Sequence, residues 1–258
     1  MQSRSPNSSG DEGPARHVAL IPAGGSGHRL RAKVPKQYLE LGARTMIEHS
    51  VARFAEEPWI STVIVVIQRD DRFAARLPAL SQPKVVVVPV AGTTRRDTVL
   101  NGLAAGVRNG SVLPDDWVYV HDAARPGLDR ESLLRLASAL EDEACGALLC
   151  QPVADTVKRV DPIASDFARG RIRSAGTLDR SQLWLAQTPQ VFRAGPLRRA
   201  LQRHPSVTDE ASAIEADGGR PRLVEGTRMN LKITTIEDLI LMRVLFDHAA
   251  AATAAAGA

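Results

Sequence analysis

Three stretches of this sequence combine residue types and spacings that suit the chemistry of phosphate and its counter-charges. In PAGGSGHRLRAKVPKQ, Gly24, Gly25 and Gly27 lack the Cβ that would keep a backbone N–H away from an anion. Arg29 and Lys36 follow closely, one a planar fork and one a point charge on a long stem, and both suit phosphate. The third glycine position of a GxGxxG fingerprint holds Leu30, and no GxxxxGK[ST] occurs, which disfavours a dinucleotide fold and a Walker-type NTPase. A turn for a nucleoside triphosphate that is to be attacked remains. The second stretch, AGTTRRDTVLNGL, pairs Gly92 with the hydroxyls of Thr93 and Thr98, which can approach a base edge, while Arg95 adds charge. Thr93 or Thr94 also suits a helix N-cap. In the third, VYVHDAARP, four strand residues lead to Asp122, whose oxygens suit a hard cation, with Mg²⁺ expected. Ala123 and Ala124 leave room for a ribose, Arg125 can meet an anion or lock the turn, and His121 reads as a packed imidazole with no catalytic role.

These residues need a frame, and hydrophobic periodicity supplies one. Val18–Ile21 reads as a strand buried on both faces. Thr45–Ala55 places Met46, Ile47, Val51 and Phe54 on one helical face, and Thr62–Ile67 is the next strand. The alternation continues with strands at Lys84–Val88, Trp117–His121 and Gly146–Cys150 and helices at Thr94–Val107 and Asp129–Glu143. Strands separated by helices of about a dozen residues predict βαβ units and a mostly parallel sheet with helices on both faces, its ligand beyond the carboxyl ends of the strands.

Beyond Cys150 the rhythm breaks. Gln151–Thr177 is polar and basic and reads either as a two-stranded arm, TVKRV out and RIRSAG back, or as a surface loop; an arm would need a second subunit to lean on. Order resumes at Leu183–Ala186, followed by a turn at Thr188-Pro189-Gln190, a helix near Gly195–Arg203, TDEASAIEADG, and a strand Arg222–Glu225. A last helix is capped by Thr235 with Asp238, and its Ile236, Leu239, Ile240, Val244 and Leu245 are expected to face the core.

With 258 residues, 44% of them hydrophobic, the chain can bury a substantial core, and we read residues 17–248 as one domain with an excursion at about 151–177. The net charge of +4 comes from interspersed charges, and aromatic residues make up 4%, so a small anion suits the chain better than nucleic acid. Cys145 and Cys150 read as free thiols of a reducing cytosol. No apolar stretch can cross a bilayer, residues 1–16 read as a disordered leader without a signal sequence, and the Ala-rich 249–258 reads as a frayed tail.

PAGGSGHR…PKQY, AGTTRRDTVLNGL, VHDAARP, PVADTVKR, LDRSQLWLAQTPQVF, TDEAS and NLKIT, in this order over roughly residues 17–246, resemble the 2-C-methyl-D-erythritol 4-phosphate cytidylyltransferases. The resemblance implies a Rossmann-like three-layer α/β fold with a protruding β-arm that builds a homodimer, and Mg²⁺ or another divalent cation as cofactor. CTP and methylerythritol phosphate would be the substrates, CDP-methylerythritol and pyrophosphate the products, and neither nucleic acid nor membrane a partner. It assigns Arg29 and Lys36 to the triphosphate, Pro22, Ala23, Gly24, Gly25 and Gly27 to the cytidine and phosphates, and Gly92, Thr93 and Thr98 to the cytosine. Asp122 and Ala123 would serve the ribose, and Asp122 the metal. Arg180 and Lys232 would position the acceptor phosphate, with Arg125, Thr156, Thr188 and Asp209 as further substrate contacts. The family often has two alanines after the proline where this chain has Ala23-Gly24, a pattern shared with ribitol-phosphate cytidylyltransferases. A polyol-phosphate enzyme and a non-catalytic nucleotide sensor on the same fold are therefore the competing readings.

Overall fold

The structure, a computed structural model, describes residues 15–25 and 34–256. The expected leader up to residue 14, and Gly27 and Arg29, lie outside the described residues. Seven strands form the main sheet: β1 (His17–Pro22), β4 (Ile60–Val66), β5 (Val85–Val88), β6 (Trp117–Val120), β7 (Ala147–Pro152), β10 (Trp184–Arg193) and β11 (Arg222–Glu225), in the order β11-β7-β10-β6-β1-β4-β5. β1 is parallel to β4 and β6, β4 to β5 and β7 to β11, whereas β10 is antiparallel to β6 and β7. The expected mostly parallel sheet is present. β2 (Glu40–Leu41) and β3 (Arg44–Thr45) form a small separate hairpin.

β1 shows why the apolar run predicts a central strand. Val18 and Leu20 belong to one core cluster, Ala19 and Ile21 to the other, and all four are fully buried. On the Ala19 face lie α1 (Met46–Ala55) through Ile47, Val51 and Phe54, and α3 (Arg130–Ser138) through Leu133 and Leu136. The opposite face carries α2 (Arg95–Arg108), α4 (Ala194–Arg203) and α5 (Glu210–Ala216), with Leu103, Leu197 and Ile214 among the contacts. Burying one such aliphatic side chain contributes roughly 1.5–3 kcal/mol. Thr45, Thr94 and Asp129 cap α1, α2 and α3, so these helices start one residue later than the spacing predicts.

Several expectations need correction. α3 ends at Ser138, short of Glu143, because Glu141, Asp142 and Glu143 put negative charge where the helix dipole is itself negative. The Thr188-Pro189-Gln190 segment does not end a strand: β10 runs through it, with a register shift between Ala186 and Gln190 where the ladder is interrupted, and a bulge is where a central strand accepts proline. Arg16, read as leader, is tied to Asp116 at 2.7 Å.

The last helix, α6 (Ile236–Ala256), continues into the expected frayed tail as far as Ala256, as alanine's helix propensity permits. Its buried stripe is Leu239 and Met242, packed on Leu41, Met46, Ala124 and Ile233, while Ile236, Ile240 and Val244 are exposed. The apolar residues of α6 are spread around its circumference, so periodicity alone could not choose the face, and the narrow satellite cluster beneath it did. β8 (Val157–Val160) and β9 (Ser174–Leu178) pair antiparallel as the two-stranded arm, and Ile163, Phe167 and Ile172 between them are exposed.

Candidate active site

At the carboxyl ends of β1 and β6 lies a cavity of about 390 Å³, lined by parts of all three chemical stretches. Pro22, Ala23, Gly24 and Gly25 form one wall and Gly92, Thr93 and Thr98 another; Asp122, Ala123, Lys36 and Lys232 also line it. Gly92 to Thr94 sit at the N-terminus of α2, where unpaired N–H groups favour an anion. Gln37, buried beside Lys36, donates from Nε2 to the Ala23 carbonyl at 2.7 Å, and Gln68 does the same to Gly24 at 2.7 Å, so two amides hold the glycine turn in place. A Cβ on Gly24 would stand 2.4 Å from Cβ of Ala91. The glycine that departs from the commoner alanine thus answers to its neighbour across the turn.

Asp122 is the electrostatic centre. Its Oδ1 accepts from Nε of Arg95 at 2.6 Å, and its Oδ2 lies 2.7 Å from Nζ of Lys232. Arg95 turns its two terminal nitrogens to the fully buried Glu210, at 2.7 and 3.0 Å. Burial pushes the Asp122 carboxyl up, but Arg95 and Lys232 outweigh it and hold it far below the ordinary carboxylate range. Burial pushes the Glu210 carboxyl up as well, and there it prevails, so Glu210 is left raised although Arg95 opposes this. Arg95 itself, despite burial, is raised by Glu210 and Asp122, and so is permanently charged. It links two carboxylates and holds Asp122 from one side, a role the sequence reading did not give it. The Thr98 hydroxyl accepts from the Gly92 N–H at 3.1 Å and donates to the Thr94 carbonyl at 2.9 Å, so it shapes the loop beside the cavity. Thr93 donates to Asp97 at 3.1 Å.

Lys36 reaches the far wall, donating from Nζ to the Ile233 carbonyl at 3.2 Å. Two ammonium groups and one carboxylate therefore border the same space. Among the described residues no group of three or more His, Cys, Asp or Glu is placed to hold a metal ion. A single carboxylate matches Mg²⁺, which keeps several waters and is bound by one or two carboxylates with substrate phosphates.

The remaining expected site residues stand off the cavity wall. Arg125 takes the turn-locking alternative: Nη1 donates to the Asn230 carbonyl at 2.7 Å, and Nε is 3.9 Å from Asp122. The Thr188 hydroxyl accepts from the Asp122 N–H at 3.0 Å and pairs with Nδ1 of His121 at 3.1 Å. His121 is fully buried, its Nε2 lies 3.0 Å from the Arg125 carbonyl, and burial lowers its pKa to about 4, consistent with the packed neutral imidazole expected. Asp209 caps α5 and accepts from Nε2 of Gln190 at 2.8 Å. Thr156 and Arg180 lie exposed at the base of the arm, where Arg180 donates to the Ala154 carbonyl. Glu210, Gln37 and Asn230 were missed by the sequence reading, although Glu210 and Asn230 lie in the quoted TDEAS and NLKIT motifs.

Comparison with known proteins points one way. The family model for IspD, 2-C-methyl-D-erythritol 4-phosphate cytidylyltransferase, matches residues 17–248. A protein of that name from Ectopseudomonas mendocina is 46% identical over 228 residues, covering 87% of this chain and 93% of the relative. One from Neisseria meningitidis is 42% identical over 234 residues, covering 90% and 98%. A crystal structure of 4-diphosphocytidyl-2C-methyl-D-erythritol synthase superposes with a TM-score of 0.75 at 39% identity, covering 90% of this chain and 99% of that one.

Proposed function

Because the chain belongs to the 2-C-methyl-D-erythritol 4-phosphate cytidylyltransferase (IspD) family, we propose that it transfers CMP from CTP to 2-C-methyl-D-erythritol 4-phosphate in isoprenoid precursor synthesis. A phosphate oxygen of the acceptor attacks the α-phosphorus of CTP; the new O–P bond gives CDP-methylerythritol, and cleavage of the bond to the bridging α,β-oxygen releases pyrophosphate. A phosphate monoester is already a nucleophile, so no general base is needed. The barrier lies in bringing two anions together and in dispersing charge in line.

The observation that carries this reading is the Asp122 carboxylate held between Arg95 and Lys232 in a cavity whose opposite wall is a glycine turn and Lys36. Lys36 screens the triphosphate, aided by Arg29. Lys232 serves the acceptor phosphate. Asp122 would hold Mg²⁺ together with the triphosphate, and the ion would supply neutralisation of phosphate charge. His121 takes no part in proton transfer, since it is buried behind the wall.

Arg180 and Thr156 do not line the cavity, and we take the arm of a second copy of the chain to bring them to the acceptor. The exposed Ile163, Phe167 and Ile172 on a two-stranded element suit burial against such a copy, which supports a homodimer through the β-arm. No helix among the described residues is long and apolar enough to cross a membrane. With both cysteines free, a cytoplasmic enzyme is the consistent reading.

Pyrophosphate release from CTP and Mg²⁺ tests the function, with methylerythritol phosphate and ribitol 5-phosphate offered separately. Release with the first acceptor is expected. Release with ribitol phosphate alone, or with neither, overturns the reading.

A further inference from the structure

Asn230 has no part in the chemistry above, yet it is fully buried and stands behind the cavity wall. Its Nδ2 donates to the Thr188 carbonyl at 2.7 Å and to Oε1 of Gln187 at 3.3 Å. Its own carbonyl accepts from Nη1 of Arg125. The Arg125 carbonyl meets Nε2 of His121, and Nδ1 of His121 meets the Thr188 hydroxyl. Asn230, Thr188, His121 and Arg125 thus close a ring of buried hydrogen bonds. The same Thr188 hydroxyl takes the Asp122 N–H. Oδ1 of Asn230 is buried without a partner. An orphaned buried acceptor is costly, so its persistence beside two satisfied N–H donors indicates that this position needs the donors.

The segment that Asn230 anchors carries the site's second ammonium group and the carbonyl that meets its first. Two residues on, Nζ of Lys232 lies 2.7 Å from Asp122. At the next residue, the Ile233 N–H donates to the Ala124 carbonyl at 2.9 Å, and the Ile233 carbonyl accepts from Lys36 at 3.2 Å. We propose that Asn230 is a positioning residue: through its amide donors it fixes the segment 230–233 and so sets the separation of Lys232 and Lys36 across the cavity. The proposal deepens the function given above and uses its substrates.

The test compares pyrophosphate release by wild type, Asn230→Ala and Asn230→Asp, each also in a Lys232→Ala background. Asn230→Asp keeps the shape and turns both donors into acceptors facing a carbonyl that cannot reverse. Both variants are expected to lose activity on the order of 10-fold to 100-fold, the scale of a misplacement by about an ångström, chiefly in kcat and the acceptor KM, with the CTP KM little changed. In the Lys232→Ala background the same substitutions should cost little more, because the group they position is gone. Unchanged activity of Asn230→Asp, or equal losses in both backgrounds, overturns the proposal. Amide hydrogen exchange of the wild-type protein decides the matter should the variants fail to fold. The Ile233 N–H is expected among the slowly exchanging loop amides, and exchange at the rate of an open loop overturns the proposal. Should the wild type release no pyrophosphate, the proposed function fails, and the exchange measurement still decides for or against Asn230.

Discussion

Lys232 holds its ammonium 2.7 Å from Oδ2 of Asp122, on the side opposite Arg95, whose Nε is 2.6 Å from Oδ1. The carboxylate proposed to serve a metal is therefore already neutralised, and an acceptor phosphate bound as proposed competes with it for Lys232. Asp122→Asn leaves Arg95 and Lys232 without their shared anion. We expect it to raise the Mg²⁺ concentration needed for half-maximal activity and to lower kcat by on the order of 10²-fold. Chelation of the wild type should abolish turnover, and added Mg²⁺ should restore it. Activity that survives chelation contradicts the role given to Asp122.

Lys36 sits on the opposite wall with its Nζ at the Ile233 carbonyl. In the proposed function its charge acts on the triphosphate, so Lys36→Ala should lower kcat by on the order of 10²- to 10³-fold while moving Tm little. Steady-state kinetics beside a thermal melt checks this, and a kinetically normal variant removes Lys36 from the mechanism.

Glu210 touches no part of the cavity but receives both terminal nitrogens of Arg95 in a fully buried pair. Removing one partner strands the other's charge, so Glu210→Ala should cost about 3–5 kcal/mol of stability in urea unfolding and lower activity by releasing Arg95 from Asp122. A variant as stable as wild type shows that the pair adds nothing to the fold.

His121 titrates at about 4, below its ordinary 6.5, because burial disfavours the imidazolium, although Asp122 favours it. The unfolded chain takes up the proton first as pH falls. The stability this group contributes is therefore complete above pH 6.5 and is lost between 6.5 and about 4, by about 3 kcal/mol in all. Urea unfolding across that window should show a shallower pH dependence in His121→Asn than in wild type, and parallel curves would remove His121 as the source.

In the proposed homodimer, Arg180 serves the neighbouring subunit's reaction. Arg180→Ala and Lys232→Ala, each strongly impaired alone, should regain part of the activity when mixed under conditions that exchange subunits, because one of the two sites in a mixed dimer is then intact. No recovery places Arg180 within its own subunit's site. Asp substituted for the exposed Phe167 should shift the protein towards monomer in sedimentation.

What the sequence alone determined is local and periodic. Val18–Ile21 is a central strand because four apolar residues in a row can be buried only with cover on both sides, and β1 does feed both core clusters. Thr45, Thr94 and Asp129 announce helix starts because their side-chain oxygens satisfy N–H groups one turn away. The glycine turn, Lys36, Asp122 and Lys232 were legible as one site because glycine and fixed charge are conspicuous in a short stretch and the motif order matches a known family. Only the tertiary structure decided which of these charges meet. Arg95, read only as added charge, bridges Asp122 and Glu210; Thr188 and Arg125 turn their polar groups to the wall behind; Asn230 emerges as the residue holding that wall. Their partners lie on other elements, brought together by packing of the sheet and its helices. No spacing within the chain encodes a distance between groups that only a folded core makes neighbours. The face of α6 was undecidable for the same reason, since a helix apolar on several sides takes its orientation from the surface it lands on.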